Sequence, residues 1–196
     1  THVIKKKIPA IVNLIYWDYY STDQQHYENQ IGSHRAIKEN IWFAGGLWMW
    51  SGFAPHNSYA ITATTAALAA CRKHGVQDVF LTMWGDDGAE CSKFAMLPSL
   101  YFAAEAARGN KDMQSIKDGF RGMFGMDFDT YMLLDLPGTP NESSTWCPNA
   151  DKYMLYNDCL AGVMDTTVRA DAAPGFAACA EKLAADGKTS EYGYLF

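Results

Sequence analysis

The run Ala10-Ile11-Val12-Asn13-Leu14-Ile15-Tyr16-Trp17-Asp18 decides the fold. It is apolar and β-rich, and it stops abruptly at polar and aromatic residues, as a buried parallel strand does where it leaves its sheet. The pattern predicts a strand over 11–17. Downstream, His26 to Asn40 carries Tyr27, Ile31, His34 and Ile37 at spacings of three and four, a helical stripe closed by Asn40.

The same alternation then repeats. Ile41 to Phe53 is apolar and predicts a second strand, whose Gly45-Gly46 pair lets backbone or ligand come close. Asn57 or Ser58 is placed to cap a helix running to Lys73, with Gly75 just past its end. Val76 to Trp84 predicts a third strand, broken by Gly85-Asp86-Asp87-Gly88. Residues 97–108 predict a third helix, with Pro98 in its first turn and Gly109 at its end. Strand and helix in regular succession are the signature of a parallel α/β architecture.

From Asn110 the texture is helical. Asp112 to Met123, Asp127 to Leu134, Ala150 to Asp165 and Gly175 to Asp186 predict helices, and a Pro/Gly/Ser/Thr/Asn-rich loop spans Pro137 to Asn149. Two domains are expected, an α/β part over 1–109 and a helical part over 110–196. The chain starts without methionine and ends on the apolar run Tyr192-Gly193-Tyr194-Leu195-Phe196, so both ends read as truncations.

Composition bounds the function. With 48% hydrophobic and 19% charged residues, the 196-residue chain is globular and neither disordered nor low-complexity. Sixteen Lys and Arg against 22 Asp and Glu leave a net charge of −6, which argues against a nucleic-acid backbone or an anionic membrane as partner. No apolar stretch approaches the length of a membrane span. Cys71, Cys91, Cys147, Cys159 and Cys179 form no C-x-x-C pair and are odd in number, so free thiols in a reducing, cytoplasmic compartment are expected. His26, His34, His56 and His74 share no ligand spacing, and neither a metal nor a cofactor is expected. Gly119, Gly122 and Gly125 follow no strand and suit close helix packing better than phosphate binding. Cys91 has no histidine placed beside it by sequence, which weakens any reading of it as a nucleophile.

The chemistry gathers at the strand exits. Tyr16, Trp17, Asp18 and Tyr20 stand at the first, Trp48, Trp50 and Phe53 at the second, and Trp84, Asp86 and Asp87 at the third. Carboxyl ends of parallel strands are where ligands bind. Indole faces stack on the C–H face of a sugar ring, and carboxylates accept hydrogen bonds from its hydroxyls. The opposing reading makes the tryptophans core residues and the acids helix caps. Three successive exits of the same aromatic and polar type favour a carbohydrate pocket, with Asp86 facing it and Asp87 left open.

Taken together, residues 15–20 (Ile-Tyr-Trp-Asp-Tyr-Tyr), 45–53 (Gly-Gly-Leu-Trp-Met-Trp-Ser-Gly-Phe) and 82–92 (Thr-Met-Trp-Gly-Asp-Asp-Gly-Ala-Glu-Cys-Ser) resemble glycoside hydrolase family 20, the β-N-acetylhexosaminidases. The bacterial N-acetyl-β-D-glucosaminidase branch is the nearest likeness, and residues 152–162 are similar to its helical C-terminal domain. The resemblance implies the last three βα units of a (β/α)₈ TIM barrel followed by an incomplete helical domain. It also implies an exo-acting hydrolase of terminal N-acetyl-β-D-hexosamine, GlcNAc or GalNAc, in which the substrate's own acetamide oxygen attacks the anomeric carbon.

The family's catalytic Asp-Glu pair has no counterpart in the chain, so the resemblance implies that the chain alone is inactive. Residue by residue, Tyr16 resembles the catalytic-site tyrosine that bonds the acetamide oxygen, and Asp18 the aspartate that bonds a sugar hydroxyl. Trp84 and Asp86 resemble a last-strand Trp-x-Glu that stacks on the ring and holds the 4- or 6-hydroxyl, with aspartate standing for the longer glutamate. Trp17, Trp48 and Trp50 join the substrate-binding wall by position. The expected partners are N-acetylhexosamine-terminated glycans, and the open sheet edge suggests self-association or association with the rest of a barrel. The alternatives are a non-catalytic carbohydrate-binding module and a structural helical domain.

Overall fold

The computed structural model describes residues 8–138, 150–156 and 172–187, with Leu160, Gly162 and Leu195. Most of the loop expected over 137–149, the far half of the helix expected over 150–165, Cys147 and Cys159 lie outside the described residues. The fold is α/β. Among the described residues no helix is long and apolar enough to cross a membrane. The chain divides into two compact units, one of residues 1–47 and 60–82, the other of 48–59 and 83–196.

In the first unit, β1 (Leu14–Trp17), β2 (Ile41–Gly46) and β3 (Val79–Thr82) form a parallel sheet in the order β1-β2-β3. Helices α1 (Gln24–Arg35) and α2 (Asn57–Lys73) make the crossovers, the first three residues of α2 belonging to the second unit. The register sets Tyr16 opposite Phe43, whose rings lie 5.5 Å apart. Both rings pack with Tyr27 and Ile31 of α1 and Ala66, Ala67, Ala70 and Cys71 of α2. Alternation along the strands turns Ile15, Trp17, Trp42 and Phe80 to the other side, where they are 36–54% exposed. Both helices therefore cover the same face of the sheet.

Each strand is shorter than expected, because a strand lasts only as long as its neighbour runs beside it. Pairing begins at Leu14 with Ile41 and ends at Gly46 with Thr82, so 11–13, 47–53, 76–78 and 83–84 lie outside the ladder. Helix α1 also differs. Asp23 caps it by accepting from the Gln25 amide at 2.9 Å, and the chain turns at Ala36, before the stripe reaches Asn40. At Gly45 side chains come close: a Cβ there would stand 2.6 Å from Leu81 Cδ2 and 3.1 Å from the Phe43 ring.

The second unit is helical beyond two short 3₁₀ turns, Asp86–Gly88 and Lys93–Met96. It comprises α3 (Leu97–Ala107), α4 (Met113–Phe124), α5 (Phe128–Met132), a 3₁₀ turn Leu133–Gly138, α6 (Ala150–Tyr156) and α7 (Ala172–Gly187). Asp112 and Asp127 cap α4 and α5 by accepting amide bonds of 3.0 Å from Gln114 and Thr130. Phe120 centres the core, with the rings of Tyr101, Phe124, Phe128 and Tyr131 within 4.7–5.8 Å. The α3–α4 contact needs Gly119, where a Cβ would meet the Tyr101 hydroxyl at 2.3 Å. These contacts group α3 with the helices that follow it, whereas the expected domain boundary fell after it, at 109–110.

Candidate functional site

At the end of β1 the chain turns through Asp18 into α1, and three donors meet that carboxylate. Tyr16 donates its hydroxyl to Asp18 Oδ2 at 2.8 Å, His26 Nε2 lies 2.7 Å from the same oxygen, and the Tyr20 amide donates to Oδ1 at 3.0 Å. The Asp18 side chain is 15% exposed. Burial by itself works against its charge, but the bonds from the Tyr20 amide, His26 and Tyr16 outweigh it and hold the carboxyl below its ordinary range. Asp18 is thus a fixed negative charge at neutral pH. Burial first, and then the neighbouring Asp18 charge, push the Tyr16 hydroxyl far above its ordinary value, so it remains a donor.

The position of Tyr16 corrects one expectation. Its ring is buried under α1, 4.8 Å from His34, and its proton is already given to Asp18, so it orients Asp18 and is not presented to an acetamide oxygen. Residue 16 points inward because the register pairs it with Phe43 on the helix-covered face. Trp17 alternates to the other face and is 54% exposed, with Tyr19 at 6.2 Å.

The remaining expected residues lie in the second unit. Trp48 is 1% exposed, enclosed by Trp50 at 4.9 Å and Tyr59 at 4.7 Å, so it is a core residue and not part of a sugar-binding wall. Trp50 is half-buried against it. Trp84 is 39% exposed, and Asp86, also exposed, opens a 3₁₀ turn that ends on Ala89 at φ 57°. A non-glycine residue in that left-handed region is mildly strained.

Two cavities flank the sheet of the first unit. The one at the carboxyl ends of the strands, against Asp18, Phe43, Gly45 and Leu81, measures about 10 Å³ and admits one water at most. The one at the amino ends, among Asn13, Arg35, Asn40, Trp42, Gln77 and Asp78, measures about 390 Å³.

Sequence reading missed three groups. His26, which the sequence marks only as having no metal-ligand spacing, is a partner of Asp18. Asn57 does not cap α2 with its own side chain. The cap is Asp135, whose Oδ1 accepts from the Asn57 amide at 2.8 Å and from Asn57 Nδ2 at 3.1 Å, while Oδ2 accepts from the Ser58 amide at 2.7 Å. Burial pushes the Asp135 carboxyl up to about 6 despite these bonds, and His56 Nδ1 lies 4.0 Å from it. The third group is Asp151 and Lys152 on α6, which reach the loops of residues 50–54 and 85–90. No local spacing announces any of them; only the position of His26 in the first turn after a strand exit offers a hint.

Among the described residues no cluster of His, Cys, Asp and Glu is built to hold a metal ion. Cys71, Cys91 and Cys179 are free thiols; Cys71 and Cys91 are buried, and burial pushes both up to about 12. No model of a known protein family matches the chain, and no curated protein matches it.

Proposed function

We propose that the chain forms the last three βα units of a (β/α)₈ barrel and part of the helical domain of a family 20 β-N-acetylhexosaminidase, binding a terminal N-acetyl-β-D-hexosamine. The observation that carries this reading is Asp18: a carboxylate at a parallel-strand exit, held charged and oriented by three donors, with the exposed indole of Trp17 at the same strand end on the other face of the sheet. A charge fixed in this way suits accepting a hydrogen bond from a sugar hydroxyl.

Two features of the sheet support the barrel. The strands follow one another in sequence order, and α1 and α2 cover one face only, as in a barrel; a doubly wound sheet carries helices on both faces. The half-exposed apolar face of Ile15, Trp17, Trp42 and Phe80 is then the side turned to a barrel interior. The free thiols suit a reducing compartment such as the cytoplasm.

In this reading each unit contributes by itself: in the first, Asp18, held by Tyr16 and His26, accepts a sugar hydroxyl and Trp17 offers an indole face; in the second, Asp86 accepts a hydroxyl and Trp50 and Trp84 offer indole faces. Hydrolysis needs an acid to protonate the leaving oxygen while the substrate's acetamide oxygen attacks. No aspartate is followed by glutamate anywhere in the sequence, so the chain binds sugar without hydrolysing it. The test is a titration of the chain with GlcNAc and with glucose. Preference for the 2-acetamido sugar, weakened by Asp18→Asn, supports the proposal. Equal binding of both would indicate a general carbohydrate-binding module, and binding of neither by a folded chain a structural domain.

A further inference from the structure

We propose that Asp151 and Lys152, side by side on α6, are positioning residues that hold the loops of residues 50–54 and 85–90 in their sugar-binding form. The proposal rests on the function above, because these loops carry Trp50 and Asp86 and the second follows Trp84 directly. Asp151 accepts from the Ala54 amide at 2.8 Å through Oδ2, and from its neighbour, the Lys152 amide, at 2.8 Å through Oδ1. The Phe53 amide bonds it as well. Gly52, at φ +148°, makes room for this contact: a Cβ there would stand 2.0 Å from Asp151 Oδ1. The carboxylate thus replaces, for a loop with no regular structure, the ladder that β2 loses after Gly46.

Lys152 carries the tie onward. Its Nζ donates to both oxygens of Glu90, at 2.8 and 2.9 Å, and lies 5.9 Å over the Phe53 ring. The ammonium holds the Glu90 carboxyl below its ordinary range. Glu90 in turn folds back over Gly88, where a Cβ would meet its Oε1 at 2.5 Å. One pair of adjacent residues therefore reaches two exit loops, 97 residues away for Ala54 and 62 for Glu90. It sets where the loop aromatics and Asp86 stand.

The test uses Glu90→Lys, Lys152→Glu and the charge-swapped double variant in the whole chain, with Asp151→Ala beside them. Hydrogen exchange at Ala54 and at 88–90 reads loop restraint, and quenching of tryptophan emission by GlcNAc reads sugar affinity. Each single charge reversal is expected to speed exchange at 88–90 and weaken GlcNAc binding by about three- to tenfold, and the double variant to recover both to within about threefold. Asp151→Ala is expected to speed exchange at Ala54 with a comparable loss of affinity. Unchanged exchange and affinity in the single variants, or no recovery in the swap, would overturn the proposal. If the unmodified chain binds no GlcNAc, the functional reading fails, and the exchange rates alone still decide whether the pair holds the loops.

Discussion

Replacing Asp135 by alanine removes an acceptor that serves three N–H groups at the start of α2: the Asn57 amide at 2.8 Å, the Ser58 amide at 2.7 Å and Asn57 Nδ2 at 3.1 Å. A buried donor left without a partner costs about 1–3 kcal/mol. Against that, the variant no longer buries a carboxylate. Burial pushes Asp135 from an ordinary 3.8 up to about 6, so between those values the folded chain keeps a proton that the unfolded chain has released. Stability from this group is therefore full below about pH 4, falls as pH rises towards 6, and is level above. About two pH units at about 1.4 kcal/mol each amount to about 2–3 kcal/mol. We expect Asp135→Ala to cost about 2 kcal/mol at pH 7 and about 4–5 kcal/mol at pH 4. Urea unfolding at the two pH values, compared at equal m and with His56→Gln in both chains to remove the neighbour 4.0 Å from Asp135, measures both; carboxylates far from Asp135 cancel in the difference. A penalty equal at the two pH values, or larger at pH 7, would refute the assignment of Asp135 as a buried acid capping α2.

Two tryptophans separate core from site. Trp48→Ala, at a 1% exposed position, should cost about 3–5 kcal/mol in chemical denaturation. Trp84→Ala, at 39% exposure, should cost less than about 1 kcal/mol yet weaken GlcNAc binding, and Trp84→Phe should restore part of that binding.

What could be read in the sequence was local. Helices α2 and α3 fall within a residue of their expected spans because periodicity, Pro98, Gly75 and Gly109 act over one or two turns. The strands came out long because their ends depend on where a partner strand stops, which no single segment encodes. Asp18 was legible as an acid at a strand exit, but the face that Tyr16 takes, two residues before it, was not, since the register with Phe43 fixes which residues point into the core. Trp48 and Trp84 look alike in sequence and differ only in what folds over them. Asp135 and Asp151 act across 78 and 97 residues, and a loop amide carries no sequence mark of its distant acceptor.

The most direct measurement is a ¹⁵N NMR titration of the chain with GlcNAc and, separately, glucose. GlcNAc is expected to shift the amides of Asp18, Tyr20, Trp84 and Asp86 with a Kd of about 1 mM, and glucose at the same concentration to shift them far less. A folded chain in which GlcNAc leaves these amides unmoved, or in which glucose moves them equally, would contradict the assignment of these strand exits to a 2-acetamido sugar.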